Sequence, residues 1–298
     1  MTIMANSPNA NPDASASSPG RGGKMRAFLW LAAFSVVTVL TANLFLLSSQ
    51  LRQISHNSQQ QAFWALSHPG ITPEARTDYF LRLAANGNAE WKSAILKKLT
   101  LADADLSGTN LESASFVSCD FANAILSDGA MNRTGFDLCD LSHADLSQSN
   151  LRNSSFFKAT LVETDFRNAN LLSASLEQAN ARKANFVAAR MGDIFLAMAD
   201  LTEADLTGAD LSGANLEAAV LKASDLALAN FYGTHLEDTD FTDSNWWRAR
   251  GFSSQQLDEM TLRFAPTPEA AESRQRDFEI WLSRRLGESS ESQNERAE

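Results

Sequence analysis

Ala204-Asp205-Leu206-Thr207-Gly208-Ala209-Asp210-Leu211-Ser212-Gly213 is one five-residue phrase written twice. The phrase extends far in both directions. Every fifth residue from Leu101 to Trp246 is large and apolar, over 30 positions without an insertion or deletion, and only Ala181 departs. Two residues before each stands a small one, from Ala104 and Thr109 through Cys119 and Cys139 to Ser244; only Leu99 and Ile194 break that rule. The residue between them is usually Asp, Asn, Ser or Thr. A period of five fits neither a helix nor a flat strand. It fits a chain that turns a corner every five residues, with the small and large residues inward and the other three facing solvent or shaping the corner.

This A(D/N)LXX phrase resembles that of the pentapeptide-repeat family, which the two quoted repeats match without departure; the resemblance covers about half the chain. It implies an all-β fold over residues 99–248: a right-handed quadrilateral β-helix with four pentapeptides per coil and about seven coils. At a strand spacing of ~4.8 Å that is a rod roughly 36 Å long. A solenoid buries its core only between neighbouring coils, so residues 20 apart stack and should match in size. Phe116, Phe136 and Phe156 then form one ladder of rings. Ala181 leaves room in its coil and Ile194 overfills the next one, which predicts a local irregularity over 191–198. Cys119 and Cys139 take the small inward slot on adjacent coils. They read as buried thiols isosteric with Ala, Ser and Thr, with a disulfide as the alternative if the domain lies outside the cytoplasm.

Outside the repeats the chain changes character. Residues 1–26 form a polar tail expected to be disordered. From Ala27 to Leu47 run 21 residues without a charge, enough for a transmembrane helix. Arg21, Lys24 and Arg26 precede it and only Arg52 follows closely, which keeps the N-terminus in the cytoplasm. The expected location is therefore the bacterial inner membrane, crossed once, with the solenoid periplasmic. A cleaved signal peptide is the competing reading, opposed by the length of the run and the lack of an A-x-A site. Residues 48–71 read as a helical stalk and 72–98 as a helical N-cap. In that cap Thr72, Pro73 and Gly87 bound one helix, and a second short helix carries Trp91, Ile95 and Leu99. Residues 249–286 read as a helical C-cap. Ser253 and Gln256 form a capping box there, Leu257, Met260 and Phe264 share a face, and a last helix from Thr267-Pro268 carries Phe278, Trp281, Leu282 and Leu286. These stripes cover the solenoid end, or else join a homodimer through the C-terminal helices. Residues 287–298 read as a disordered acidic tail.

No catalytic, cofactor or metal motif stands out. The four histidines are scattered, and there is no Gly-rich phosphate loop and no nucleophile elbow. The many Asp residues fall at one repeat position, so their number follows from the fold, and a rod offers little pocket for catalysis. A net charge of −11 opposes direct nucleic-acid binding. Functional information therefore rests on the faces. The face centred on Leu106 carries an acidic column of Asp105, Asp145, Asp165, Asp205 and Asp225. The face centred on Phe116 shows Val117, Leu138, Phe157, Phe195 and Met198 where the repeat wants polar residues. Exposed apolar groups on one side of a rod suggest a docking site, although scattered ones are normal. One expectation is a non-catalytic, membrane-anchored scaffold that docks a protein on the Phe116 face. The other comes from the resemblance: quinolone-resistance members resemble B-DNA in size and charge and inhibit DNA gyrase. Residues 99–248 carry 22 acidic and 9 basic side chains, which suits such an acidic DNA mimic.

Overall fold

The computed structural model describes Leu66, residues 70–85, Trp91 and residues 94–294, with side chains as far as Gly287. The chain divides into two compact units, residues 1–58 and 59–298, and everything described belongs to the second. The tail over 1–26, the membrane span over 27–47, Gly87, and the stalk over 48–71 apart from Leu66, Gly70 and Ile71 lie outside the described residues. Among the described residues no helix is long and apolar enough to cross a membrane.

The repeat satisfies its backbone donors by a fixed rule, which the unit centred on Leu206 illustrates. Leu206 N–H donates to Asp225 O (2.8 Å) and Gly208 N–H to Ala227 O (2.8 Å), both on the following coil. Asp210 N–H donates back to Ala189 O (3.0 Å), and Ala209 N–H closes the local turn on Leu206 O (2.9 Å). The fifth donor, Thr207 N–H, has no backbone partner and goes to Asp205 Oδ1 at 2.9 Å. That remaining amide is why Asp or Asn recurs before the large residue: buried N–H groups must find acceptors, and these two side chains make this turn.

Because the chain turns after every fifth residue, only about one residue per side is free to pair. Parallel bridges link positions 20 apart from Thr100↔Asp120 to Asn230↔Arg250. Among the described residues longer strands occur on one face only: β1 (Ile95–Lys97), β2 (Ser115–Val117) and β3 (Gly135–Asp137), paired in parallel in that order. At each corner the residue two after the large one, from Lys98 to Asp243, has φ between 53° and 71°. Only Gly108, Gly208, Gly213 and Gly233 meet that demand without a side chain. None of the others is Val, Ile, Thr or Pro, the residues that left-handed backbone tolerates least.

The core is a column of layers. Phe116, Phe136 and Phe156 stack at 5.5 and 5.1 Å between centroids, nearly parallel, and Phe166 stacks on Phe186 at 5.0 Å. The irregularity expected over 191–198 is not there. Ser175↔Phe195 and Asn180↔Asp200 hold the 20-residue register. Ala181 and Ile194 fall within one turn of the chain, not in successive ones, and both are fully buried; a core tolerates size changes best when the total volume is kept. Cys119 and Cys139 are buried free thiols, and Cys119 N–H donates to Cys139 Sγ at 3.3 Å. The Cys119 thiol bonded to it, and then burial, push the Cys139 thiol up.

Both ends are covered. Helix α1 (Pro73–Ala85) starts with Ala75 N–H donating to Thr72 Oγ1 at 3.3 Å. Its Phe80 is fully buried, 5.0 Å from Trp91 and edge-on to Phe116 at 5.6 Å, so it closes the aromatic ladder. Leu66 is 3% exposed in the same core, so the segment read as a stalk contributes this residue to the cap. The expected second helix of that cap is corrected: Ile95–Lys97 is β1, part of the solenoid. Trp91, Ile95 and Leu99 imitate a helical spacing, but Ala94 and buried Leu96 continue the five-residue phrase.

At the other end Trp246–Arg248 forms a 3-10 turn. Helix α2 (Ser254–Arg263) opens on a capping box between Ser253 and Gln256, and Met260 is buried against the core. Helix α3 begins at Glu272, not at Thr267-Pro268, and continues to Asn294, so the tail expected over 287–298 is helical for most of its length. Gln275 Nε2 donates to the carbonyls of Thr267, Pro268 and Ala270, which holds that stretch as a separate turn. Beyond Leu286 the helix extends because each added residue closes a bond on an existing helix. Phe278 and Trp281 pack on Trp246 at 5.9 and 5.3 Å, whereas Leu286 is 61% exposed. Arg248 grips Asp277 through two 2.6 Å bonds, and Trp247 Nε1 adds a third at 2.8 Å.

Candidate interaction faces of the solenoid

The acidic column follows one unbroken ladder of bridges but is not acidic at every level. Asp105, Ile125, Asp145, Asp165, Asn185, Asp205 and Asp225 bridge in succession, so Ile125 and Asn185 interrupt it. Each carboxylate is occupied. Oδ1 of Asp105, Asp145, Asp165, Asp205 and Asp225 accepts the amide two residues on, at 3.1, 2.9, 2.9, 2.9 and 3.0 Å. Ser107 Oγ also donates to Asp105 (2.7 Å), and this hydroxyl and the Ser107 amide hold the Asp105 carboxyl below the usual range. Arg167 clamps Asp165, with Nη2 at 2.6 Å. The neighbouring face, centred on Leu101, shows the same habit. There Asp120, Asp140, Asp200 and Asp240 cap turns, and Arg182 lies 3.4 Å from Asp200 and 3.7 Å from Glu203.

The Phe116 face departs from the rule. Its capping column reads Ile95, Ser115, Gly135, Ser155, Ser175, Phe195, Asn215 and His235. At the Ser155 corner the acceptor comes from the coil before: Asp137 Oδ1 accepts Phe157 N–H at 3.2 Å. Leu138 (51% exposed), Phe195 (47%) and Met198 (62%) stand in solvent, while Val117 and Phe157 are half-buried. The five predicted residues form two groups. Leu138 N–H donates to Phe157 O at 2.9 Å, which sets Leu138 beside Phe157 and near Val117. Phe195 and Met198 lie one coil beyond Ser175, Glu177 and Gln178. Lys158 Nζ reaches over the Phe157 ring at 5.1 Å. Ile95, 58% exposed, belongs to this face and was missed because it had been placed in a helix. Extending the five-residue phrase one step before Leu101 finds it.

A groove of about 470 Å³ lies where this face meets α2, between Leu236 and Phe241 on one wall and Met260 and Phe264 on the other. Its hydroxyls, Thr234 and Thr239, both donate to backbone carbonyls, and Arg263 is paired with Glu259 at 2.9 Å. No group of three His, Cys, Asp or Glu side chains gathers as a metal site among the described residues.

Eight copies of the family model Pentapeptide repeats match residues 94–134, 136–171, 159–196 and 199–238. The chain belongs to the pentapeptide-repeat family. Pentapeptide-repeat proteins fold as right-handed β-helices and are generally non-catalytic. The chain is similar to HetL, a pentapeptide repeat protein involved in heterocyst differentiation regulation in the cyanobacterium Nostoc sp. strain PCC 7120. That match has 25% identity, covers 56% of this chain and 95% of that one, and has a TM-score of 0.27. It is also similar to QnrB1, a plasmid-mediated fluoroquinolone resistance protein, at 20% identity over 58% of this chain and 91% of that one, TM-score 0.35. A third pentapeptide repeat protein, from the Arabidopsis thaliana thylakoid lumen, is 22% identical over 46% and 85%, TM-score 0.24. No curated relative matches the chain.

Proposed function

We propose that this pentapeptide-repeat chain is a non-catalytic scaffold that docks a protein along the Phe116 face. It is held by residues 27–47 in the bacterial inner membrane, with its N-terminus cytoplasmic and its solenoid periplasmic. One observation carries the reading. Among the described solenoid residues the exposed large apolar side chains are Ile95, Ile125, Leu138, Phe195, Met198, Leu228 and Tyr232, and four of these seven lie on that face. Folding does not need them there, and exposed apolar groups gathered on one side of a rod mark an interaction site.

The test is co-purification from membranes. Phe157→Asp and Phe195→Asp should abolish capture of the partner and leave the fold intact. Neutralising the five aspartates of the acidic column should alter the association rate and its salt dependence more than the affinity. The net charge of −13 between residues 99 and 248 favours a second reading, an acidic DNA mimic acting on DNA gyrase. That reading demands the opposite ranking, with the aspartates essential and the phenylalanines silent. Reporter fusions after residue 60 separate the two again, since a periplasmic solenoid never meets gyrase.

A further inference from the structure

Apart from Asp137, the Lys, Asp and Glu charges of the Phe116 face are sorted by height along the rod, with Glu217 among the acidic ones. At the first level stand Lys97 and Lys98, both exposed. At the last stand Glu237 and Asp238, also exposed. Near the middle Lys158 sits one coil before Glu177, and Leu138 lies as far on one side of that midpoint as Phe195 and Met198 lie on the other. Among the described residues none of these six charged side chains makes an ion pair, whereas Glu112, Asp165, Asp200 and Glu203 on other faces do.

Resting on the reading of this face as a docking surface, we infer that its partner is a second copy of this chain, laid antiparallel about a two-fold axis between the levels of Lys158 and Glu177. Such an axis sets Lys97 and Lys98 of each copy against Glu237 and Asp238 of the other. It sets Lys158 against Glu177, and Leu138 against Phe195 and Met198. It also brings Ile95 opposite the groove beside Leu236 and Met260. Asp137 meets the apolar centre with its Oδ1 already accepting from Phe157 N–H. Seven coil spacings of ~4.8 Å make the strip about 34 Å long. A parallel pair is opposed, because it stacks lysine on lysine at one end and carboxylate on carboxylate at the other. An isologous contact of this kind closes on itself and stops at the dimer.

The experiment uses the full chain in mild detergent, followed by sedimentation equilibrium. The wild type should be dimeric. The double reversal Lys97→Glu/Lys98→Glu should weaken the dimer by about tenfold or more, as should Glu237→Lys/Asp238→Lys, and the variant carrying all four changes should recover it. Orientation is read by disulfide trapping: a Lys98→Cys chain should cross-link to an Asp238→Cys chain and not to itself. Self-linkage at position 98, or a chain that stays monomeric, overturns the inference. If a monomeric chain still loses another bound protein on Phe195→Asp, the second copy is wrong and the docking face stands. A dimer indifferent to the charge reversals and to Phe195→Asp overturns both and moves the contact to the C-terminal helices.

Discussion

The Leu106 and Phe116 faces are built on the same five-residue rule and use it differently. On the first, Asp occupies the capping position at most levels, and each carboxylate turns one oxygen back to an amide of its own corner. On the second, that position passes through Ile95, Gly135 and Phe195, and the side chains released from the rule are apolar and exposed. An acidic column looks like a binding feature, but the backbone accounts for it: without those oxygens one donor per repeat lacks an acceptor. Nothing in the backbone accounts for Leu138, Phe195 or Met198. In a repeat protein, departures from the rule say more about function than its most regular ornament.

Substitutions can break this comparison. The largest effect should separate inward from outward positions. Leu146→Asp and Phe166→Asp bury an unpaired charge between coils and should abolish the folded circular dichroism spectrum. Phe195→Asp should leave it unchanged, with stability altered by no more than about 1 kcal/mol, as for an ordinary surface change. Next in size is a backbone effect at Leu138, whose φ is 59°. Leu138→Val should lower stability by roughly 1–2 kcal/mol because a β-branched residue resists the left-handed region, while Leu138→Gly should not. Thermal denaturation of the two variants side by side decides it.

Smaller changes test what the aspartates do. Asp145→Ala leaves the Ser147 amide without its acceptor and should cost about 1 kcal/mol, whereas Asp145→Asn keeps an oxygen there and should stay within about 0.5 kcal/mol. Denaturant unfolding resolves the difference. The smallest effect is pH-dependent. The Asp105 carboxyl is held below its ordinary range by the Ser107 hydroxyl and amide. Its contribution is therefore present above the unfolded value near 3.9 and is lost as pH falls through the lower folded one. Acid titration should show that loss in the wild type and not in Asp105→Asn, while replacing Ser115 on the Phe116 face, where no carboxylate caps the turn, should leave the acid profile unchanged.

Much of this was legible in the sequence, because a period of five leaves few options. The inward list follows from counting, and the 20-residue register and the Phe116–Phe136–Phe156 ladder follow from the four-repeat coil that the family resemblance implies. What counting missed has physical causes. Ile95 and Leu96 were read as helix because Trp91, Ile95 and Leu99 also fit a helical spacing. The passage through Ala181 and Ile194 keeps its register because total core volume matters more than the size at one position, which a position-by-position rule does not see. The role of the aspartates was half visible: their place at a corner was clear, but the orphan amide they serve emerges only from tracing every donor. The start of α3 moved because Gln275 holds the Thr267–Ala270 stretch as a turn, a contact between residues with no periodic signature.

The most direct test of the central claim asks which face is covered in the cell. A photo-cross-linking amino acid placed at Phe195 or Leu138 is compared with one placed at Asp145 or Asp205, each in the full-length chain in intact membranes. Phe195 and Leu138 should yield discrete protein adducts on illumination, and Asp145 and Asp205 should yield none. Adducts confined to Asp145 and Asp205 would contradict the account and place the binding surface on the acidic column.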